Sequence, residues 1–267
     1  MSYFGYSFGI GSLKKSGGTG NDADAQAFID AASITDDIQI TAINTLVLDL
    51  KSYGLWSKCS AIYPIVGGTS SSHAVNLKTP GTFNLTFSTG WTHSSTGMTP
   101  NGSAYANTGL TPSTTLALND AHLSYYSRTN INGGVDIGST SVIGYDQYCT
   151  MIIRDNNNFY NNIHTQYNNW GLVSNTNSQG FFNANRTAVN VQTGFKNGIK
   201  IMNKTNSTDY RPTVPIYIGA LNNGGTASDY CQRECAFASI GQGFTDAESG
   251  DFNTAIQSFQ TTLERVI

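Results

Sequence analysis

The sequence predicts a mainly β fold: an antiparallel sandwich with helices at both ends of the chain. Three observations predict it. Beyond residue 59 the chain breaks into many short β-rich runs, separated by Gly, Asn, Ser and Pro clusters at fairly regular spacing. That punctuation suits an antiparallel sandwich or barrel. Second, Phe195-Lys196-Asn197-Gly198-Ile199-Lys200 places Asn-Gly between two such runs. Asn-Gly fits a type I′ hairpin turn, in which both central residues take positive φ. Third, Pro215 to Glu248 reads as strand, long polar loop, strand and capped helix start. There Thr245 and Glu248 have the capping-box spacing, in which each side chain satisfies an orphan backbone N–H.

Taken in order, residues 1–20 form a Gly- and Ser-rich arm carrying Tyr3, Phe4, Tyr6, Phe8 and Ile10. The last four alternate with smaller residues. A period of two suits an extended arm that adds to another protein's sheet edge; a flexible terminus is the plainer alternative. Residues 21–58 read as a helical attachment or oligomerisation segment. Ala25, Phe28, Ile29 and Ala32 share a face of a first helix, and Thr35 is a candidate cap for a second. Ile43, Leu46, Val47, Leu50 and Tyr53 recur at helical steps, with Gly54 as a stop. A core-facing stripe is the ordinary explanation of that pattern.

The sandwich is expected over residues 59–244. Expected strands are Ala61–Val66, Ala74–Leu77, Thr82–Phe87, His122–Arg128, Val135–Gly138, Cys149–Arg154 and Phe159–His164. Gly171–Ser174, Gly180–Phe182, Val189–Thr193, Ile199–Met202, Ile216–Ala220 and Cys235–Ile240 follow. Residues 245–267 close the chain as a helix, with Ala255, Ile256, Phe259 and Leu263 on one face. No fixed-period repeat is visible, which argues against a solenoid or propeller.

Composition narrows the function. Of 267 residues only 12% are charged, against the roughly 25% of a typical soluble domain. The 27 Asn, with Ser, Thr and Gly, fill that gap, so the surface is wetted by amides and hydroxyls. Aromatics at 11% argue for a folded chain. A net charge of −3 gives no reason to bind nucleic acid or an anionic membrane. No apolar run approaches the ~20 residues of a membrane helix. The N-terminus lacks the basic start and unbroken apolar core of a signal peptide, so synthesis in a cytoplasm without that export route is expected. Cys59, Cys149, Cys231 and Cys235 are therefore expected as free thiols. Cys231 and Cys235 have no second Cys/His pair at zinc spacing.

The closing block, in its order of strand, strand and capped helix, resembles the end of a LamG-like, concanavalin A-type jelly roll. Such domains commonly place an Asn-Gly hairpin before the last two strands, as Asn197-Gly198 stands here. Further segments carry a second resemblance. These are Ala42–Val47 with Tyr53-Gly54-Leu55-Trp56, Ala61–Gly68, Gly90–Gly97 and Leu123–Arg128. Over residues 25–267 the chain resembles virion structural proteins of tailed bacteriophages, including the crAss-like phages, which carry LamG-like domains in head fibres, tail fibres and related appendages. The resemblance implies a non-enzymatic virion component made in the host cytoplasm. Its partners would be other capsid or tail proteins and copies of itself, a trimer by analogy with phage fibres.

Jelly-roll glucanases are the enzymatic relatives of such a fold. Their strand motif Glu-x-Asp-x-Glu sets the acids on one face. This chain has only Glu234, Glu248 and Glu264, none in that motif, and its strand acids Asp136, Asp146 and Asp155 are isolated. It has no Gly-x-Ser-x-Gly elbow and no Walker loop, and His73, His93, His122 and His164 form no metal-type pair. No catalytic residue is expected. Binding to a host surface glycan is the alternative role, since sugars are held by aromatic faces with amide and carboxylate hydrogen bonds. Candidates are Trp91, His93, Asn101 and Tyr105 in one loop, and Tyr160, His164, Tyr167, Asn168, Asn169 and Trp170 in another. The plainer reading of Trp91 and Trp170 is that they fill the core. No metal is expected, although LamG relatives often bind calcium; Asp136 and Asp155, with Asn156, are the weak candidates.

Overall fold

The computed structural model describes residues 20–143, 145–166, 169–206 and 210–267. Two helices open the described chain, α1 (Ala23–Ala32) and α2 (Asp37–Ser52), and lead into β1 (Cys59–Tyr63). A single turn, α3 (Ser70–His73), precedes β2 (Thr86–Phe87), β3 (Trp91–His93), β4 (Met98–Pro100) and β5 (Ala106–Asn107). After the turn α4 (Pro112–Thr115) come β6 (Ala121–Ser127), β7 (Ile137–Ile143), β8 (Tyr145–Asp155), β9 (Asn158–Asn161) and β10 (Thr165–Gln166). Next are β11 (Gly171–Ser174), β12 (Gly180–Ala188), β13 (Val191–Lys196) and β14 (Ile199–Lys204). The chain closes with β15 (Tyr217–Ile218), β16 (Leu221–Asn223), β17 (Thr226–Ser228), β18 (Cys235–Gly241) and α5 (Asp246–Thr262).

The strands form two sheets packed face to face. The first runs β14-β13-β12-β6-β18-β4-β3, with β1 also on β18. The second runs β11-β9-β8-β7-β15-β5-β2, with β10 on β8 and the β16–β17 hairpin on β7. The ladders are antiparallel except for the short parallel β16–β7 pair. The fold is the mainly β sandwich that the sequence predicts.

Side-chain alternation divides the first sheet between two cores. Leu123 and Tyr125 of β6, Phe182 and Ala184 of β12, and Ala238 and Ile240 of β18 point into the sandwich. Tyr126, Phe181 and Phe237 point the other way, where Phe28, Leu46, Val47, Phe252 and Phe259 of the helices cover them. β6 and β18 are buried along their whole lengths as a result. The apolar stripe of α2 therefore faces this sheet. The second sheet packs one face into the sandwich: Cys149, Met151 and Ile153 of β8 point inward, and the alternating residues point to the other face, where Thr150 is nonetheless buried. Among the described residues no helix covers that outer face, and none is long and apolar enough to cross a membrane.

Local chemistry explains where the segments turn. Asn197 (φ 49°) and Gly198 (φ 77°) form the expected hairpin turn between β13 and β14. Thr245 Oγ1 accepts from Glu248 N–H, and Glu248 Oε2 accepts from Thr245 N–H at 2.8 Å. Three expectations need correction. Asp36, not Thr35, caps α2, because its carboxylate reaches Gln39 N–H at 2.8 Å. Residues 74–77 are not a strand; the Asn76 side chain takes the Ile62 and Lys78 amides that a ladder would use. The expected polar loop after Ile218 is the β16–β17 hairpin, closed by Gly224 (φ 59°) and Gly225 (φ 100°). Asn222 braces it, accepting from Gly225 N–H and donating to Pro215 C=O.

Candidate functional site

The uncovered face of the second sheet holds a cavity of about 370 Å³, within the usual size of small-ligand sites. Strand alternation builds its floor. Because Cys149 and Met151 face the core, Tyr148, Thr150 and Ile152 of β8 face outward into the cavity, and Tyr160 of β9 joins them. Asn162, whose N–H donates to Thr150 C=O at 2.9 Å, completes the floor. Trp170 stands at one side. Its indole meets Tyr148 and Tyr160 edge-on, each with ring centroids 6.0 Å apart. Such T-shaped pairs are favourable and fix the ring's orientation.

Loops form the other walls. Asn156 (φ 48°) and Asn157 (φ 60°) make a tight turn between β8 and β9. The turn presents Asp155 and Asn156 to the cavity. Opposite them stand Leu221 of β16 and, beyond β17, Asp229 (φ 48°) and Tyr230. Gly134 lets that wall approach: a Cβ there would lie 2.3 Å from Tyr230 C=O. Non-glycine residues at positive φ cost energy and cluster where a side chain must be aimed.

The cavity also carries polar groups. Thr150 Oγ1 and Asn162 Oδ1 are buried and have no hydrogen-bond partner among the described residues. A buried polar atom without a partner is costly, about 1–3 kcal/mol, and calls for an explanation. Asp155 Oδ2 accepts from the Asn156 amide at 3.1 Å, and Asp229 Oδ2 from Ser228 Oγ at 2.9 Å.

The residues expected to bind a sugar are scattered. Trp170 lines the cavity. Tyr167, with Asn168, lies outside the described residues, as do Tyr3, Phe4, Tyr6, Phe8 and Ile10 of the arm. Trp91 and His93 sit on edge strand β3. Trp91 packs edge-on against Phe87 (centroids 5.6 Å) beside the sandwich core and is only half exposed. Tyr105 stacks on Tyr217 at 4.4 Å. Burial, then the neighbouring Tyr105 and Tyr230, raise the Tyr217 phenol above its usual range. His164 is buried with Nδ1 against Leu118 C=O. The structure also pairs His73 with His93, Nδ1 to Nδ1, at 2.9 Å. Burial, then His93 and Arg265, push the His73 imidazole down to about 3.

Sequence reasoning missed Tyr148, Thr150 and Asn162, and raised Asp229 and Tyr230 only as part of the Asn222–Tyr230 loop. Spacing could have flagged the outward residues of β8, but Asp229 and Tyr230 reach the cavity only through the β16–β17 hairpin.

One calcium candidate is corrected. Asp136 is buried, with Arg233 bonded to both carboxylate oxygens and Ile153 N–H donating to Oδ2 at 2.7 Å. A guanidinium occupies the place a cation would take. Among the described residues no group of three His, Cys, Asp or Glu side chains could hold a metal ion. All four cysteines are free and buried. Burial raises their thiols, with Cys59, Cys149 and Cys231 pushed up to about 12, which makes them poor nucleophiles.

No family model matches the chain, and no curated protein matches it. Solved structures share its fold. One is a mutant of Trypanosoma rangeli sialidase displaying trans-sialidase activity, at 8% identity over 82% of this chain and 39% of that one, TM-score 0.51. Another is the binding domain of botulinum neurotoxin DC in complex with SialylT, at 10% identity over 76% and 52%, TM-score 0.50. The chain is also similar to domain 4 of AbnA, a GH43 extracellular arabinanase from Geobacillus stearothermophilus, at 11% identity over 73% and 98%, TM-score 0.48. The chain spans about half or less of the sialidase and toxin chains. At such identities the likeness establishes architecture alone: a jelly-roll-type, concanavalin-like β-sandwich.

Proposed function

We propose that this chain is a non-catalytic glycan-binding module whose binding site is the cavity on the open face of the second sheet. The observation that carries the reading is the pairing of an aromatic wall with polar side chains in one cavity on the open sheet face. Trp170, Tyr148, Tyr160 and Tyr230 supply apolar faces for a sugar ring. Asp155, Asn156 and Asp229 offer polar groups at its walls, above a floor that includes Thr150 and Asn162. The helix layer leaves this face open while it covers the opposite face of the sandwich, so an extended ligand has access. The resemblance of residues 25–267 to phage appendage proteins supports a place on a virion, where residues 1–20 would hold the module and display it toward the host surface.

The test is a glycan array on the purified chain, repeated with Trp170→Ala. Binding that falls at least tenfold in the variant, with the fold retained by circular dichroism, is the expected result. No bound glycan, or binding indifferent to Trp170, overturns the reading. A hydrolase remains a rival because Asp155 and Asp229 line the same cavity. Release of new reducing ends from the bound glycan would establish it; none is expected. For the virion role, deletion of residues 1–20 should abolish incorporation into particles, and normal incorporation would refute it.

A further inference from the structure

We infer that the cavity selects sugars without negative charge and recognises them chiefly as hydrogen-bond donors. The inference rests on the glycan-binding reading above and specifies its ligand class. Among the described residues, the cavity is lined by two carboxylates, Asp155 and Asp229, and by no Lys, Arg or His. The cations nearest to its walls in the chain are committed elsewhere. Arg154 donates to Asn157 Oδ1 and, through Nη1, to Asn130 Oδ1 at 2.7 Å. Lys204 Nζ donates to the Trp170 carbonyl. Arg233 is buried behind the wall, bonded to Asp136 and to Gly134 C=O.

Hydrogen-bond direction agrees with the charge. The carboxylates of Asp155 and Asp229, which line the cavity, can only accept. A ligand that satisfies these atoms must bring O–H or N–H groups. A neutral sugar's hydroxyls do so, and so does the ammonium of a de-N-acetylated hexosamine. A sialic acid or uronic acid carboxylate brings like charge to a wall whose described residues include no cation to pair it, which disfavours it by desolvation and repulsion.

Three ligand sets of matched length separate these cases by isothermal titration at low salt: neutral oligosaccharides, de-N-acetylated hexosamine oligomers, and the neutral set carrying a terminal sialic acid or uronate. Neutral or amino sugars should bind at least about tenfold more tightly than the acidic set. The amino-sugar arm shows which donor, hydroxyl or ammonium, the site prefers. Asp155→Asn combined with Asp229→Asn should bring the acidic-to-neutral affinity ratio toward one. Both side chains are at least partly exposed, and thermal melting checks that the variant folds. Preferential binding of the acidic set, with Trp170→Ala still abolishing it, would overturn this inference and leave the glycan module standing. So would binding abolished by a calcium chelator, since the carboxylates would then serve a cation. Absence of binding across all three sets would overturn both.

Discussion

Arg233 closes on Asp136 with neither side chain exposed, Nε to Oδ1 at 2.5 Å and Nη2 to Oδ2 at 2.9 Å. Burial works against the guanidinium charge, but the Asp136 charge and its hydrogen bonds outweigh that and raise its pKa above the usual range. The pair does more than neutralise itself. Arg233 also donates to Ile131 and Gly134 carbonyls, and Asp136 accepts from Ile153 N–H. It ties the segment leading into β7 to β8, beneath the wall that carries Gly134 and Val135.

Removing one partner leaves the other charge buried and unpaired, which typically costs 3–5 kcal/mol. Asp136→Ala should therefore lower unfolding stability by about that amount in urea titration. Arg233→Met combined with Asp136→Leu should recover much of it, because replacing both charges with apolar groups removes the uncompensated one. A double variant no more stable than Asp136→Ala would show that the hydrogen bonds to the wall, not the charge, dominate.

Gly134 is the contact that admits Tyr230 to the cavity. It has φ +80°, and an added Cβ would stand 2.3 Å from the Tyr230 carbonyl. Gly134→Ala should destabilise the fold by about 1–3 kcal/mol, from the strained φ and the clash. It should also weaken ligand binding by displacing Asp229 and Tyr230. Equal binding by wild type and variant would show that this wall does not contact the ligand.

Much of the architecture is legible in the sequence because it is written in local chemistry. Asn197-Gly198 and Thr245–Glu248 each need only neighbours a few residues away, and both fold as read. Ala74–Leu77 misleads because its apolar residues fill a core from a loop, with Asn76 supplying the bonds of a ladder. The site is less legible. Trp170 stands out by composition, but Thr150 and Asn162 matter only because the sheet pairs β8 with β9 and leaves their outer face open. The His73–His93 contact has no spacing signal, since 20 residues and a sheet edge separate the two rings.

Buried histidines predict the response to acid. Burial pulls His122 and His164 down to about 4, against partial compensation from the Gln242 and Leu118 carbonyls they contact. Their folded pKa values lie below the unfolded value of about 6.5. Between those limits the unfolded chain binds protons that the folded chain refuses. Their contribution is therefore complete above about pH 6.5 and is lost as pH falls toward 4, by up to about 3 kcal/mol per pH unit for two histidines. Urea midpoints should fall steeply over that window, and His122→Gln should flatten the slope. A midpoint constant from pH 7 to 5 would contradict the burial.

The two tryptophans flagged in the sequence should separate cleanly. Trp91 packs on Phe87 and against the sandwich core, and Gly219 lies so close that a Cβ there would approach the indole to 2.9 Å. Trp91→Ala should destabilise the protein by about 2 kcal/mol, less than a full core truncation because the indole is only partly buried, while ligand affinity in the remaining folded protein stays within about twofold. Trp170 stands on the open face between Tyr148 and Tyr160, so Trp170→Ala should lose affinity at least tenfold for a smaller loss of stability. Calorimetric melting beside titration of the same samples measures both quantities. The reverse pattern would move the binding surface to the edge of the sandwich around β3, where Trp91 and His93 lie and Tyr105 stacks on Tyr217 nearby.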